Sequence, residues 1–241
     1  MADRSAIEWT EATWNPVTGC DKVSPGCDNC YAETFAERWR GVPGHPYEQG
    51  FDLRFWPQRL DQPLHWRKPR VVFVNSMSDL FHQRVPVAFV EQVLGTIRQT
   101  PQHTYQVLTK RPAKMASVMR RLQPEPLRHL WLGTSIESDD YVWRADALRD
   151  TPAAVRFLSL EPLLGPVPSL NMEGIGWVIV GGESGPGHRS IDPRWVTAIR
   201  DSCIERGVPF FFKQWGGRYP KAGGRLLEGR TWDEMPITSA A

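Results

Sequence analysis

The chain has 241 residues, 41% of them hydrophobic and 23% charged, a balance typical of a soluble globular protein that excludes intrinsic disorder. Its formal net charge of +2 neither requires nor excludes a nucleic-acid partner, because local clustering of basic side chains decides that question. The sequence shows no apolar run near the roughly 20 residues that a membrane-spanning helix requires. The first residues also lack the apolar core of a signal peptide. We therefore expect a cytoplasmic protein with no membrane partner.

Strand-like and helix-like segments alternate along the chain. A short first strand is predicted near residues 13–18, and six continuous apolar runs predict strands at 71–77, 104–110, 130–136, 155–161, 177–183 and 209–215. Helical patterns lie between them, at 31–40, 86–99, 112–122, 139–149 and 192–206. This alternation indicates βαβ units and a mostly parallel sheet.

About seven strands favour an α/β fold of the partial or modified (β/α) TIM-type barrel over a complete eight-fold barrel. A doubly wound open sheet is the alternative, since periodicity alone does not separate the two. We expect one domain over residues 1–241, with a long ordered insertion at about 41–69. A Gly-rich, polar C-terminal extension follows at about 216–241 and ends in a frayed tail of small residues.

Three of the four cysteines, Cys20, Cys27 and Cys30, fall within eleven residues after the first predicted strand. Three clustered thiols cannot all pair with one another, and thiolates favour zinc or an iron–sulfur cluster. A structural zinc site requires a fourth ligand, for which Asp28 and His45 are the nearest candidates. Three sulfurs alone suit a [4Fe–4S] cluster that has one open iron.

Polar side chains follow each of the predicted strands. The carboxyl ends of parallel barrel strands meet at one rim, which is where barrel enzymes place their active sites. The rim is therefore predicted to form a site next to the cysteines. The candidate residues are Asn75, Ser76, Ser78, Asp79, Lys110, Ser135, Glu137, Glu161 and Lys213.

Characteristic segments recur from Trp14 to Pro236. They read WNPVTGCDKVSPGCDNCYAE, VFVNSMSDLFH, QVLTKRP, FLSLEPLLGPV, WVIVGGESGPGHR, PFFFKQWG and GRTWDEMP. With these segments the chain resembles the radical S-adenosylmethionine (SAM) superfamily, and specifically its phage-associated, radical-SAM-like three-cysteine family of unassigned function. The spacing C-x6-C-x2-C departs from the usual C-x3-C-x2-C, and Tyr31 follows the last cysteine instead of an aromatic residue preceding it. A remote resemblance to spore photoproduct lyase rests on residues 20–30, the loop that carries the three cysteines, which we call the cysteine loop.

The resemblance implies a radical SAM enzyme. A [4Fe–4S] cluster on the three cysteines would reductively cleave SAM to a 5′-deoxyadenosyl radical, which abstracts hydrogen from a substrate. An electron donor such as a flavodoxin or ferredoxin is also implied. By carry-over, Asn75, Ser76, Ser78 and Asp79 would lie at the methionine amine, Lys110 at its carboxylate, and Ser135 or Glu137 at the ribose hydroxyls. Glu161 and Lys213 would act on the catalytic side, toward SAM or substrate.

Two segments combine basic and aromatic side chains, the composition of a groove that binds single-stranded nucleic acid. A nucleic-acid substrate, for repair or modification, is therefore one hypothesis, with a peptide or small molecule as the alternative. Solvated loops pinned by their own aromatic residues would explain the same pattern. The first segment contains Arg54, Phe55, Trp56, Arg59, Trp66, Arg67, Lys68 and Arg70, and the second contains Trp215, Arg218, Tyr219, Lys221, Arg225, Arg230 and Trp232.

The competing functional hypothesis is a non-catalytic zinc or iron–sulfur binding module in a phage-related protein or DNA complex. It predicts a fourth protein ligand and does not require the polar rim. A barrel that has lost SAM binding and keeps its cysteines for structure is a third alternative.

Overall fold

The computed structural model describes residues 5–237. In chain order, the strands and α-helices of that part are β1 (Ala12–Trp14), β2 (Val17–Thr18), α1 (Tyr31–Glu37), β3 (Arg54–Phe55), β4 (Val71–Val74), α2 (Val87–Gln99), β5 (Thr104–Thr109), α3 (Pro112–Leu122), β6 (Leu130–Ser135), α4 (Trp143–Arg149), β7 (Val155–Leu160), β8 (Trp177–Gly181), α5 (Pro193–Arg206) and β9 (Phe210–Gln214). Within residues 5–237, no helix is both long and apolar enough to cross a membrane.

Seven strands form one parallel sheet, in the order β1-β4-β5-β6-β7-β8-β9. The sheet curls into a half-barrel, with β1 and β9 at its two edges and no pairing between them in the described residues. The predicted α/β class, the parallel sheet and the incomplete barrel are therefore confirmed. The doubly wound alternative is wrong, because neighbours in the sheet follow chain order and the order reverses nowhere.

Alternate residues of each strand pack on opposite faces of the sheet, as the two-residue period of a strand requires. On β4, Val72 and Val74 join the outer core beneath the helices, while Phe73 joins a second group on the concave face. Gly133 makes room in that group, since a Cβ there would come within 2.6 Å of the Phe157 ring. We call this group the inner cluster; it consists of Trp9, Phe73, Trp131, Phe157, Trp177, Ile179 and Phe211.

The helices lie close to their predicted positions, with ends that local chemistry explains. At α5, the Asp192 side chain accepts a hydrogen bond from the Arg194 amide at 2.8 Å, and Gly207 ends the helix at φ 64°. Helix α4 begins later than predicted, because residues 139–141 form a separate 3-10 turn. The first predicted strand is divided between β1 and β2, which belong to different sheets.

The predicted insertion forms a small second sheet with β2, and the predicted extension attaches to the main sheet. In the insertion, β3 pairs antiparallel with β2, and buried Trp56 donates from Nε1 to Thr18 Oγ1 at 2.9 Å. In the extension, the Phe212 amide donates to the Trp232 carbonyl at 2.9 Å, so this segment covers the free edge of β9. The predicted frayed tail, at 238–241, lies outside the described residues.

Candidate three-cysteine site

A cavity of about 500 Å³ opens at the carboxyl rim of the half-barrel, next to Trp9 and Phe73 of the inner cluster. The three cysteines and the ends of β4 to β9 line it together, as parallel strands converging on one rim predict. Of the predicted site residues, Glu137 alone is not part of the lining. Those that line the cavity are Cys20, Cys27, Cys30, Asn75, Ser76, Ser78, Asp79, Lys110, Ser135, Glu161 and Lys213.

Glu137 instead holds the cysteine loop from below. Its carboxylate accepts hydrogen bonds from Ser24 Oγ at 2.6 Å, Lys110 Nζ at 2.7 Å and Arg144 Nη1 at 2.9 Å. Burial alone would raise the pKa of Glu137, but the two cations hold that pKa below its ordinary value. Both oxygens are thus occupied by the protein, and Gly26 fits tightly above: a Cβ there would lie 2.4 Å from Glu137 Cγ.

A second contact joins the cysteine loop to the end of β8. Arg189 donates from Nη2 to the Pro25 carbonyl at 2.8 Å and from Nε to Glu183 at 3.0 Å. Glu183, which is 5% exposed, also accepts from Asn29 Nδ2 at 2.9 Å. Burial opposes ionisation of Glu183, yet Arg189 and Asn29 hold its pKa below the ordinary value.

Cys20 lies beside a buried ion pair. Arg111 Nη1 is 3.5 Å from Cys20 Sγ and 2.8 Å from Asp79, and Arg111 Nη2 donates to the Asp21 carbonyl at 2.9 Å. Burial, followed by the Asp79 charge, raises the pKa of the Cys20 thiol to about 11, while Arg111 acts in the opposite direction. Burial also raises the pKa of Cys30. Metal binding at these thiols must therefore displace protons.

Most side chains of the predicted SAM-binding segment after β4 already make hydrogen bonds within the protein. Asp79 accepts from the Thr109 hydroxyl at 2.7 Å and from Arg111, so it serves mainly to hold the rim together. Ser78 Oγ donates to the Val17 carbonyl at 2.9 Å, and Ser76 Oγ lies 3.2 Å from the Asn15 amide.

Asn75 keeps a free hydrogen-bond donor. The residue is 2% exposed, lies in the left-handed region at φ 59°, and accepts from the Val17 amide through Oδ1. Its Nδ2 atom is buried and has no hydrogen-bond partner among the described residues. A buried donor at the cavity wall is costly unless a ligand or water accepts from it, so Asn75 is the best placed of this segment to contact a ligand.

Glu161 and Lys213 form an ion pair inside the cavity. Lys213 Nζ lies 2.7 Å from Glu161 Oε1, and Gln214 Nε2 lies 3.4 Å from the same oxygen. Their side chains are 18% and 19% exposed, so each retains access to a bound molecule. Gly181 leaves space beside them, since a Cβ there would approach Glu161 Cδ to 3.1 Å. The sequence predicts both residues at the rim but does not predict their ion pair.

Neither candidate fourth ligand lines the cavity. Asp28 is paired with Arg189 at 3.3 Å, and His45 stacks on Trp39 with 4.1 Å between ring centroids. Across residues 5–237, no three or more His, Cys, Asp and Glu side chains are grouped closely enough to hold a metal ion, and this includes the three cysteines. The donor set, three cysteines without a fourth protein ligand lining the cavity, matches in number that of an iron–sulfur cluster with one open position and not that of a closed zinc site.

Internal packing accounts for three tryptophans of the basic and aromatic segments, whereas Tyr219 of the second segment is exposed. Trp56 and Trp66 are buried, and the guanidinium groups of Arg54 and Arg59 lie 4.2 and 3.9 Å from the Trp56 ring centroid. Trp232 is also buried, with Arg230 3.5 Å from its ring centroid. These rings are covered by the chain's own side chains and do not offer a free surface for stacking bases.

The fold and the site together define an α/β protein with a three-cysteine cavity at the rim of a parallel half-barrel. Residues 4–236 match the family described as "Protein of unknown function (DUF5131)", and the chain belongs to that family. Neither the curated proteins nor the solved structures gave a match.

Proposed function

We propose that this protein is a radical SAM enzyme whose [4Fe–4S] cluster is held by Cys20, Cys27 and Cys30. The observation that supports the proposal is that the three cysteines and the polar ends of β4 to β9 line one cavity of about 500 Å³. A volume of this size accommodates a single ligand of cofactor size. When bound, the cluster and SAM would supply reductive cleavage of the sulfonium to a 5′-deoxyadenosyl radical that takes hydrogen from a substrate.

The chain's own residues would prepare that chemistry. Glu137, Glu183 and Arg189 hold the cysteine loop at the cavity, which all three cysteines line. Asn75 offers its unpartnered amide to a polar ligand group. The Glu161–Lys213 pair can hold a proton, or bind a polar group of cofactor or substrate, beside an apolar wall that excludes water.

The test is anaerobic reconstitution of the full chain with iron and sulfide, followed by SAM and dithionite with chromatography for 5′-deoxyadenosine. We expect a cluster absorbing broadly near 400 nm and 5′-deoxyadenosine formation, both lost in Cys20→Ala, Cys27→Ala and Cys30→Ala. A full cluster that forms without one of these thiols would contradict the ligand assignment. A loaded cluster that leaves SAM intact, with or without DNA, RNA and cell extract, would favour the non-catalytic binding module.

The remaining expectations belong to the same proposal. A flavodoxin- or ferredoxin-type protein would deliver the electron, and the reaction would take place in the cytoplasm. Burial of Trp56, Trp66 and Trp232 weakens the support that the two basic segments give to a nucleic-acid substrate, although Tyr219 of the second segment is exposed.

A further inference from the structure

An exposed group of aromatic rings lies on the outside of the cysteine loop. Tyr31 and Phe35 lie four residues apart on helix α1, and Trp39 follows four residues later, just after the helix ends. Their exposed fractions are 58%, 43% and 37%. Half-buried His45 and Tyr47 complete the group, which we call the aromatic face. Scattered exposed apolar residues are ordinary, but a contiguous set of rings marks an interaction site.

Four rings of the aromatic face, those of Phe35, Trp39, His45 and Tyr47, contact one another. The Phe35 ring meets the Tyr47 ring edge-on at 5.6 Å between centroids, and Trp39 stacks on His45 at 4.1 Å. Arg40 bridges Glu37 and Asp52 beneath them, which fixes the loop that follows α1. A rigid aromatic surface loses little conformational entropy when a partner covers it, and such residues dominate binding energy at interfaces.

The aromatic face is continuous with the cavity. Tyr31 lines the cavity and also begins the row of rings, and its hydroxyl donates to the Ser76 carbonyl at 2.6 Å. A molecule seated on Phe35 and Trp39 is therefore positioned to extend a side group past Tyr31 toward the cysteines and the Glu161–Lys213 pair. If a cofactor fills the cavity, a larger substrate would meet that cofactor at the mouth of the cavity.

The net charge of the segment that carries the aromatic face indicates which class of molecule it can bind. Residues 31–52 contain four acidic side chains, Glu33, Glu37, Glu48 and Asp52, against two basic ones, Arg38 and Arg40. Glu33 is paired with Lys22, and Glu37 and Asp52 share Arg40, so the excess negative charge lies on that trio and on Glu48. Binding to a phosphate backbone requires an excess of cations, which this segment lacks.

The cations that line the cavity offer no compensating charge. Each already has a carboxylate partner: Lys110 with Glu137, Arg111 with Asp79, Lys213 with Glu161, and Lys221 with Glu8. The face instead suits a polypeptide that has aromatic or aliphatic side chains next to lysine or arginine.

We propose that the aromatic face binds a polypeptide segment whose apolar side chains are flanked by basic ones, and that it presents one residue of that segment to the cavity. The proposal deepens the proposed function, on which it rests, by naming a polypeptide as the substrate class. The binding step itself requires neither cluster nor SAM, so it can be tested independently.

The experiment selects binders from a random peptide library displayed on yeast, with the full chain as bait. Selected peptides are measured in solution against the wild type, the double variant Phe35→Ala/Trp39→Ala, and the control Trp143→Ala. Trp143 is a matched control because it is 50% exposed on α4, outside the aromatic face. Single-stranded dT and rU oligonucleotides are measured in parallel, and thermal melting confirms that each variant is folded.

We expect selected peptides that pair an aromatic or aliphatic residue with Lys or Arg. Their binding should weaken about tenfold or more in the double variant, as for interface hot spots, and stay within about twofold in Trp143→Ala. Glu48→Gln, which keeps the side chain's shape, should weaken binding at low salt and much less at high salt. If the double variant fails to fold, the two single variants and Glu48→Gln still decide the question.

The proposal is wrong if no peptide is enriched, or if enriched peptides bind the double variant as tightly as the wild type. It is also wrong if the oligonucleotides bind through the aromatic face, or if the chain self-associates through that face in sedimentation experiments. Because these measurements do not involve SAM, failure of SAM cleavage leaves a positive peptide result standing, and a negative peptide result leaves SAM cleavage standing.

Discussion

Arg189→Ala should release the cysteine loop while leaving the half-barrel folded. Arg189 connects the loop to Glu183 through a hydrogen bond to the Pro25 carbonyl at 2.8 Å and an ion pair with Asp28 at 3.3 Å. Its removal leaves the buried Glu183 carboxylate with Asn29 and the residue 189 backbone amide as its remaining donors. The loop then keeps only the Asn29 contact to the end of β8, together with its attachments to Glu137 and Arg111.

The size of the effect follows from the burial of the groups involved. Hydrogen bonds to charged groups stabilise by about 1.5–3 kcal/mol, and a buried partner left behind adds to the loss. One third of the Arg189 side chain reaches solvent, at 34% exposure, so the lower end of that range applies. A loss of about 1.5 kcal/mol, confined to local opening of the loop, raises the open population about tenfold.

Limited digestion with endoproteinase Lys-C measures this opening, because Lys22 lies within the cysteine loop. Cleavage after Lys22 should accelerate about tenfold in Arg189→Ala, with little change at Lys114, which lies within helix α3 and reports on wider unfolding. Arg194→Ala is the matched control, since Arg194 is 88% exposed and pairs only with Asp192. An unchanged rate at Lys22 would show that the other contacts alone hold the loop and would refute the reasoning.

Three further predictions concern the site and the core. Gly26→Ala should bind much less iron on reconstitution, because the added Cβ would overlap Glu137. The control Gly95→Ala, whose Cβ would meet nothing within 4 Å, should bind iron normally and have a slightly higher melting temperature. Glu161→Gln should keep the wild-type iron content and absorption but lose turnover in the SAM assay; full turnover would exclude a catalytic role for this carboxylate. Burial lowers the pKa of His103 in the folded chain. As pH falls below the unfolded pKa of about 6.5, the unfolded chain therefore protonates this imidazole first, and the folded state loses stability. His103→Gln should show a smaller drop in melting temperature between pH 7 and pH 5.

Much of the fold could be predicted because its signals are local. Continuous apolar runs such as residues 155–160 and 177–181 marked buried parallel strands, and the helix bounds followed from Pro193 and Gly207. The division of the first strand into β1 and β2 was missed, since the partner of β2 lies in the insertion, at Arg54–Phe55. A two-residue ribbon has no periodicity that a sequence could reveal.

The site could be predicted as a group of positions but not as a set of bonds. Strand ends placed Glu137, Glu161 and Lys213 at one rim, yet whether a side chain faces the cavity or a neighbour depends on contacts distant in sequence. Glu137 pairs with Lys110 and Ser24, and so it supports the loop from beneath the cavity. The contribution of Arg189 was missed although the residue ends the segment WVIVGGESGPGHR, because its partners Pro25 and Asp28 lie far away along the chain.

That distance has a consequence for how the protein is made. Asn29 is separated from Glu183 by 154 residues and Pro25 from Arg189 by 164, so the attachment of the cysteine loop to the end of β8 cannot form until most of the chain has left the ribosome. At about 5–20 residues per second, the thiols wait roughly 10–30 s in the nascent chain before their attachment emerges. Loading of an oxygen-sensitive metal centre would therefore follow translation, on a finished chain, and would depend on how well the cell keeps those early cysteines reduced.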